Sequence, residues 1–162
     1  MLAKFEDFLK EGSFNVVSWN WVKNVPYDVT VTNGKENYRL VVYLKNISGA
    51  GWKEKPHIKR VQVTNVRNDD MDKYIDTTSS ETLLILGYYN FDENPIMVAW
   101  NAYQYVQHNT NRSCYVNLEH LQEGYKNGMY ITTCAEQKIW VFKPESFQNF
   151  LKDYIKANKW EK

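Results

Sequence analysis

Six basic side chains fall between positions 45 and 67: Lys45, Lys53, Lys55, Lys59, Arg60 and Arg67, against one acid, Glu54. Such a run can follow a phosphate backbone, releasing counterions as it neutralises phosphates. Its context sharpens that chemistry. Gly49 and Gly51 let backbone N–H groups approach an anion closely. Trp52 can stack on a base or wedge between two. His57, after Lys55-Pro56, joins the basic face, and Gln62 lies on the strand that follows. The competing reading is a solvated loop whose lysines keep an edge strand from pairing with other chains. Residues 68–97 have the opposite sign, with Asp69, Asp70, Asp72, Asp76, Glu81, Asp92 and Glu93 against Lys73 alone.

A second candidate is Asn109-Thr110-Asn111-Arg112-Ser113, which packs amides, a hydroxyl and a guanidinium into a short loop. Asn suits adenine edges, Arg suits guanine edges, and both reach phosphates. Asn and Ser also favour turns for purely local reasons. Other chemistries lack their residues. Asp28 and Lys45 loosely resemble a metal-dependent nuclease pair, but the residue two before Lys45 is Tyr43, and one carboxylate does not build a Mg²⁺ site. His57, His108 and His120 have no metal-ligand spacing, and His120 reads as a helix-surface residue. Cys114 and Cys134 form no CxxC and suit a reducing compartment. No P-loop, GxGxxG or nucleophile elbow occurs. The expectation is therefore no metal and no cofactor.

The elements that must position these residues are legible. Ala3 to Glu11 reads as a helix with Phe5, Phe8 and Leu9 on one face and Gly12 as its stop. Phe14 to Val22 is extended, and Tyr27, Val29 and Val31 alternate with polar residues as in a half-buried strand. Asn33-Gly34 signals a hairpin, with Tyr38 to Ile47 returning. Ser48 to Pro56 is a loop, and Ile58 to Val66 a strand. Residues 68–80 read as polar surface with a short helix near Met71 to Ile75. Thr82 to Tyr89 is apolar on both faces, hence a central strand, and Pro95 to Trp100 follows it. Ala102 to His108 is a helical turn, and Ser113 to Val116 is extended. Asn117 caps a helix that runs to Asn127 and closes at Gly128. Met129 to Cys134 and Lys138 to Phe142 make a last hairpin, and Pro144 opens a final helix.

About seven or eight strands and three or four helices without βαβ alternation predict an α+β fold. The expected form is a mainly antiparallel sheet or open barrel with N-terminal and C-terminal helices. The 162 residues suit a single domain over 1–162, an arrangement that also suits the N-terminal part of a larger protein. At 24% charged residues and net charge +1, the balance is globular and global charge announces no partner. The N-terminus lacks a signal-peptide core and no apolar run matches a membrane span, so the expected location is cytoplasmic, with no membrane partner. Aromatics are high at 15%. Trp19, Trp21, Trp100, Trp140, Tyr88 and Tyr89 lie in expected strands and suit core packing, with a pocket for an extruded base as the sharper alternative.

The order of features resembles a domain found beside DNA methylases and at the N-termini of restriction endonucleases. The carrying pieces are the Gly loop Ser48 to Pro56, Val61-Gln62-Val63, Leu84 to Tyr89, and Val98 to Asn101. Ser113 to Val116, Asn117 to Gly128, and Phe142 to Tyr154 complete them, over roughly residues 38–155. The family form often carries acids just before an Ile-Gln pair, whereas this chain has His57, Lys59 and Arg60, and Val61 in place of Ile. The resemblance implies a non-catalytic target-recognition domain of a restriction–modification or related defence system, acting against phage. Its implied partners are double-stranded DNA, modified or not, and further domains or subunits of such a complex. The surface expected to bind DNA is Lys45, Trp52, Lys53, Lys55, His57, Lys59, Arg60, Gln62, Arg67, Asn109, Asn111, Arg112 and Ser113. A modified-base reader and a protein–protein adaptor remain as alternatives.

Overall fold

A computed structural model describes residues 2–20, 27–49, 54, 56–63, 80–91, 93–105 and 112–158. Ten strands and four α-helices occur among them: α1 (Leu2–Glu11), β1 (Asn15–Asn20), β2 (Tyr27–Thr32), β3 (Asn37–Asn46), β4 (Ser48–Gly49), β5 (Ile58–Val63), β6 (Glu81–Phe91), β7 (Asn94–Trp100), α2 (Ala102–Tyr105), β8 (Arg112–Asn117), α3 (Leu118–Asn127), β9 (Met129–Cys134), β10 (Gln137–Phe142) and α4 (Phe147–Asn158), which follows a 3₁₀ turn at Pro144–Ser146. Seven strands form one open sheet in the order β1-β2-β3-β6-β7-β10-β9, and β4-β5-β8 form a second, small one. The fold is α+β, with a mostly antiparallel main sheet that does not close and helices at both ends of the chain. Among the described strands, β3 and β6 are the parallel pair. Parallel neighbours need a crossover, and here that crossover contains β4 and β5.

β6 occupies the centre of the main sheet, as its two-sided apolar sequence requires; Thr82 to Gly87 are all buried. Alternation then sorts the core into two layers. Leu84, Leu86, Ala99, Trp140 and Phe142 share one face through their cross-strand register. On this face α1 and α4 pack: Phe8 meets Phe142 edge-on at 5.9 Å, and Phe150 stacks on Phe142 at 4.2 Å. Ile85, Gly87, Val98, Trp100, Ile139 and Val141 share the other face, which carries α3 and the small sheet. Two glycines allow that second layer its approach. A Cβ on Gly124 of α3 would sit 2.3 Å from Val141 Cγ1, and one on Gly87 would sit 2.6 Å from Ile47 and 2.9 Å from Trp100.

β6 extends past the end of β7, whose register with it stops at Ile85 opposite Trp100. The backbone groups of Leu83 therefore lack a strand partner on that side. Two tyrosines replace it: Leu83 N–H donates to Tyr103 Oη at 3.1 Å, and Tyr154 Oη–H donates to Leu83 O at 2.7 Å. Tyr154 Oη also accepts from Ala102 N–H at 3.1 Å. Burial pushes the phenol of Tyr154 far above its ordinary value, so it stays a neutral donor.

Several details depart from the sequence expectations. Ser48–Gly49, expected as loop, is a short strand paired to β5. The expected β2–β3 hairpin at Asn33-Gly34 is present, as a four-residue loop in which Asn33 Oδ1 accepts from Lys35 and Glu36 N–H at 2.9 and 2.8 Å. His120, expected on the helix surface, is buried. It points back to the helix start, where its Nδ1 accepts from Asn117 N–H at 3.3 Å. No helix among the described residues is long and apolar enough to cross a membrane.

Candidate nucleic-acid interface

β5 is the middle strand of the small sheet, between β4 and β8. Its register with β8 pairs Lys59 with Val116, Val61 with Cys114, and Val63 with Arg112. Val61 is 3% exposed, and Cys114 and Val116 are 0% exposed, so this line of positions faces the main sheet. The alternate positions face outward: Ile58, Arg60 and Gln62 on β5, with Ser113, Tyr115 and Asn117 opposite them on β8. Ser48 of β4 pairs with Arg60 and lengthens the same polar face. With Val61, Cys114 and Val116 turned inward, the hydrogen-bonding side chains of Arg60, Gln62 and Ser113 lie on the other side.

The geometry brings together four of the thirteen expected residues. Gln62 lies directly across from Ser113, and Arg60 Nη1 lies 3.4 Å from Ser113 Oγ. Lys45, at the end of β3, donates from Nζ to the Gln62 carbonyl at 2.9 Å, which ties the small sheet to the main one. Lys59 and Arg60 are adjacent, so they point to opposite faces, and the basic pair is not one patch. His57 lies beyond the other end of β5, exposed, with its carbonyl accepting from Leu118 N–H at 2.8 Å. Arg112 begins β8 opposite Val63, at the Gln62–Ser113 end of the sheet. Trp52, Lys53, Lys55, Arg67, Asn109 and Asn111 lie outside the described residues, as do all the acids of 68–79 and Trp21. Ion pairs among the described residues are Arg39–Glu81, Lys138–Asp153 and Lys143–Glu145. None of them takes up Lys59 or Arg60.

The other sequence candidates have structural explanations. Trp100 and Trp140 are fully buried. Their indole N–H groups donate to Tyr115 O at 2.9 Å and Asp153 Oδ2 at 2.7 Å. These rings pack the core. Asp28 sits opposite Val41, four residues from Lys45 along β3, or about 13 Å. Among the described residues, no three His, Cys, Asp or Glu side chains cluster as metal ligands would. Cys114 and Cys134 are buried and unbridged, and burial pushes the Cys134 thiol up.

The sequence did not single out a pocket of about 290 Å³ at the junction of the small sheet and α3. His57, Asn117, Leu118, Glu119 and Gln122 line it. Glu119 and Gln122 are three apart on a helix and share a face, a signal that was present in the sequence. What it lacked was the approach of His57, which depends on β5 pairing with β8. Burial holds the His120 imidazole, next to Glu119 in sequence, below its ordinary range, with Glu119 pulling the other way.

These features define an α+β domain that presents a small hydrogen-bonding sheet beside a helix start. The chain belongs to the methylase-associated X1 family, whose model matches residues 38–151, from β3 into α4 and well over half of the chain. Membership places it in a setting of methylases. No curated protein and no solved structure matches it.

Proposed function

We propose that this chain is a DNA-recognition domain of a restriction–modification or related defence system, without catalytic residues of its own, that docks duplex DNA on the outer face of β4-β5-β8. The observation that carries the reading is the convergence of Arg60, Gln62 and Ser113 on one face, with Lys45 at its margin. A guanidinium, an amide and a hydroxyl are the groups that hold phosphates and read base edges. The methylase setting supports a nucleic-acid partner over an unrelated protein. The basic, Gly- and Trp-containing segment 49–55 lies between β4 and β5 in sequence. Further subunits or domains of the same system would supply methyl transfer or cleavage.

The test is anisotropy of a labelled random duplex titrated with the protein at several salt concentrations. The expected result is binding at about 50 mM salt whose logarithm falls linearly with log salt. Absence of binding at that salt would overturn the proposal.

A further inference from the structure

The pocket beside α3 is continuous with the face assigned to DNA. Asn117 is at once a pocket residue and the outward partner of Ile58, two positions along the sheet from the Arg60–Tyr115 pair. Two strand positions are about 7 Å, within the reach of one nucleotide from its own phosphate. At about 290 Å³ the pocket lies at the small end of ligand sites and has room for one ring system.

Its chemistry narrows the ligand. Among the described residues the lining holds no Lys or Arg, and it includes the Glu119 carboxylate, which repels a phosphate. The Leu118 N–H at the helix start is already spent on the His57 carbonyl, which leaves an anion one donor fewer there. What remains is an acceptor-only carboxylate, the Gln122 amide, the NH2 of Asn117 (its oxygen caps α3), an aliphatic side chain and an exposed imidazole. A carboxylate accepts from an exocyclic amine, amides pair with a ring edge that both donates and accepts, and an imidazole offers a stacking surface.

We propose that this pocket receives one extruded base bearing an exocyclic amine, adenine or cytosine, from DNA lying along β4-β5-β8. The amine donates to Glu119, Asn117 and Gln122 read the remaining edge, and His57 covers the ring. This rests on the DNA-docking reading above.

The experiment compares duplexes carrying a single unpaired adenine, cytosine or thymine with the fully paired duplex, since an unpaired base costs least to extrude. The wild-type protein is expected to bind the adenine or cytosine duplex about tenfold more tightly than the thymine duplex. Glu119→Gln turns an obligate acceptor into a group that also donates. It is expected to abolish or reverse that preference while leaving fully paired duplex binding and the thermal melt unchanged. Equal binding of all unpaired duplexes, or a preference that survives Glu119→Gln, overturns the pocket and leaves the docking face standing. No binding of any duplex at low salt overturns both.

Discussion

Lys59 and Arg60 are neighbours in sequence with the same charge, yet the β5–β8 register turns them to opposite sides of the small sheet. Replacing each separately by Ala therefore distinguishes a docking face from diffuse attraction. If Arg60 holds one phosphate, its removal makes the slope of log K against log salt shallower by about 0.9. Between 50 and 200 mM salt that one contact amounts to about a 3.5-fold difference in how far affinity falls. Lys59→Ala should leave the slope unchanged, because its strand position faces the buried Val116 line. Arg60 makes only a long contact to Ser113 Oγ, 3.4 Å, so its loss should leave the fold intact, as circular dichroism would confirm. The assay is fluorescence anisotropy with one duplex across a salt series. Equal effects of the two substitutions would refute the face assignment. An unchanged slope for Arg60→Ala would refute the contact itself.

Three further outcomes follow from the packing. Gly124→Ala in α3 should lower stability although Ala favours helices by about 1 kcal/mol, because the new Cβ meets Val141 at 2.3 Å; overpacking of about 1–3 kcal/mol wins, and a rise in melting temperature would contradict this. Tyr154→Phe removes the hydroxyl that serves both Leu83 O and Ala102 N–H and should cost about 1–3 kcal/mol in urea unfolding, the range for leaving buried polar groups unpaired. His120 has a folded pKa below 6.5, so the unfolded chain binds more protons just below 6.5 and stability there rises with pH. That contribution is complete above 6.5 and is lost as pH falls toward the lower folded value; urea midpoints measured across this window should fall for the wild type and fall less for His120→Phe.

Much of this architecture was written in local patterns. The α3 boundaries, from the Asn117 cap to Gly128, follow from capping chemistry that involves only a few adjacent residues. The central position of β6 follows from an apolar run that no half-exposed strand could carry. Other features left no local mark. The two-residue β9–β10 turn is Ala135-Glu136 at φ of 50° and 67°, a left-handed conformation usually signalled by Asn or Gly. The burial of His120 was equally hidden, because a polar side chain becomes a core residue only when a strand and a helix enclose it.

The sequence by itself determined most element types, the α+β class and the run of cationic residues along the chain, because periodicity, caps and turn residues act over a few positions. Tertiary structure decided which of those groups share a surface. Strand pairing turned Arg60, Gln62 and Ser113 outward together, sent Lys59 the other way, and brought His57 against the start of α3. Register is set by contacts between segments some 50 residues apart, Val61 with Cys114 and Lys59 with Val116, and a shift of one position would have reversed every one of those assignments.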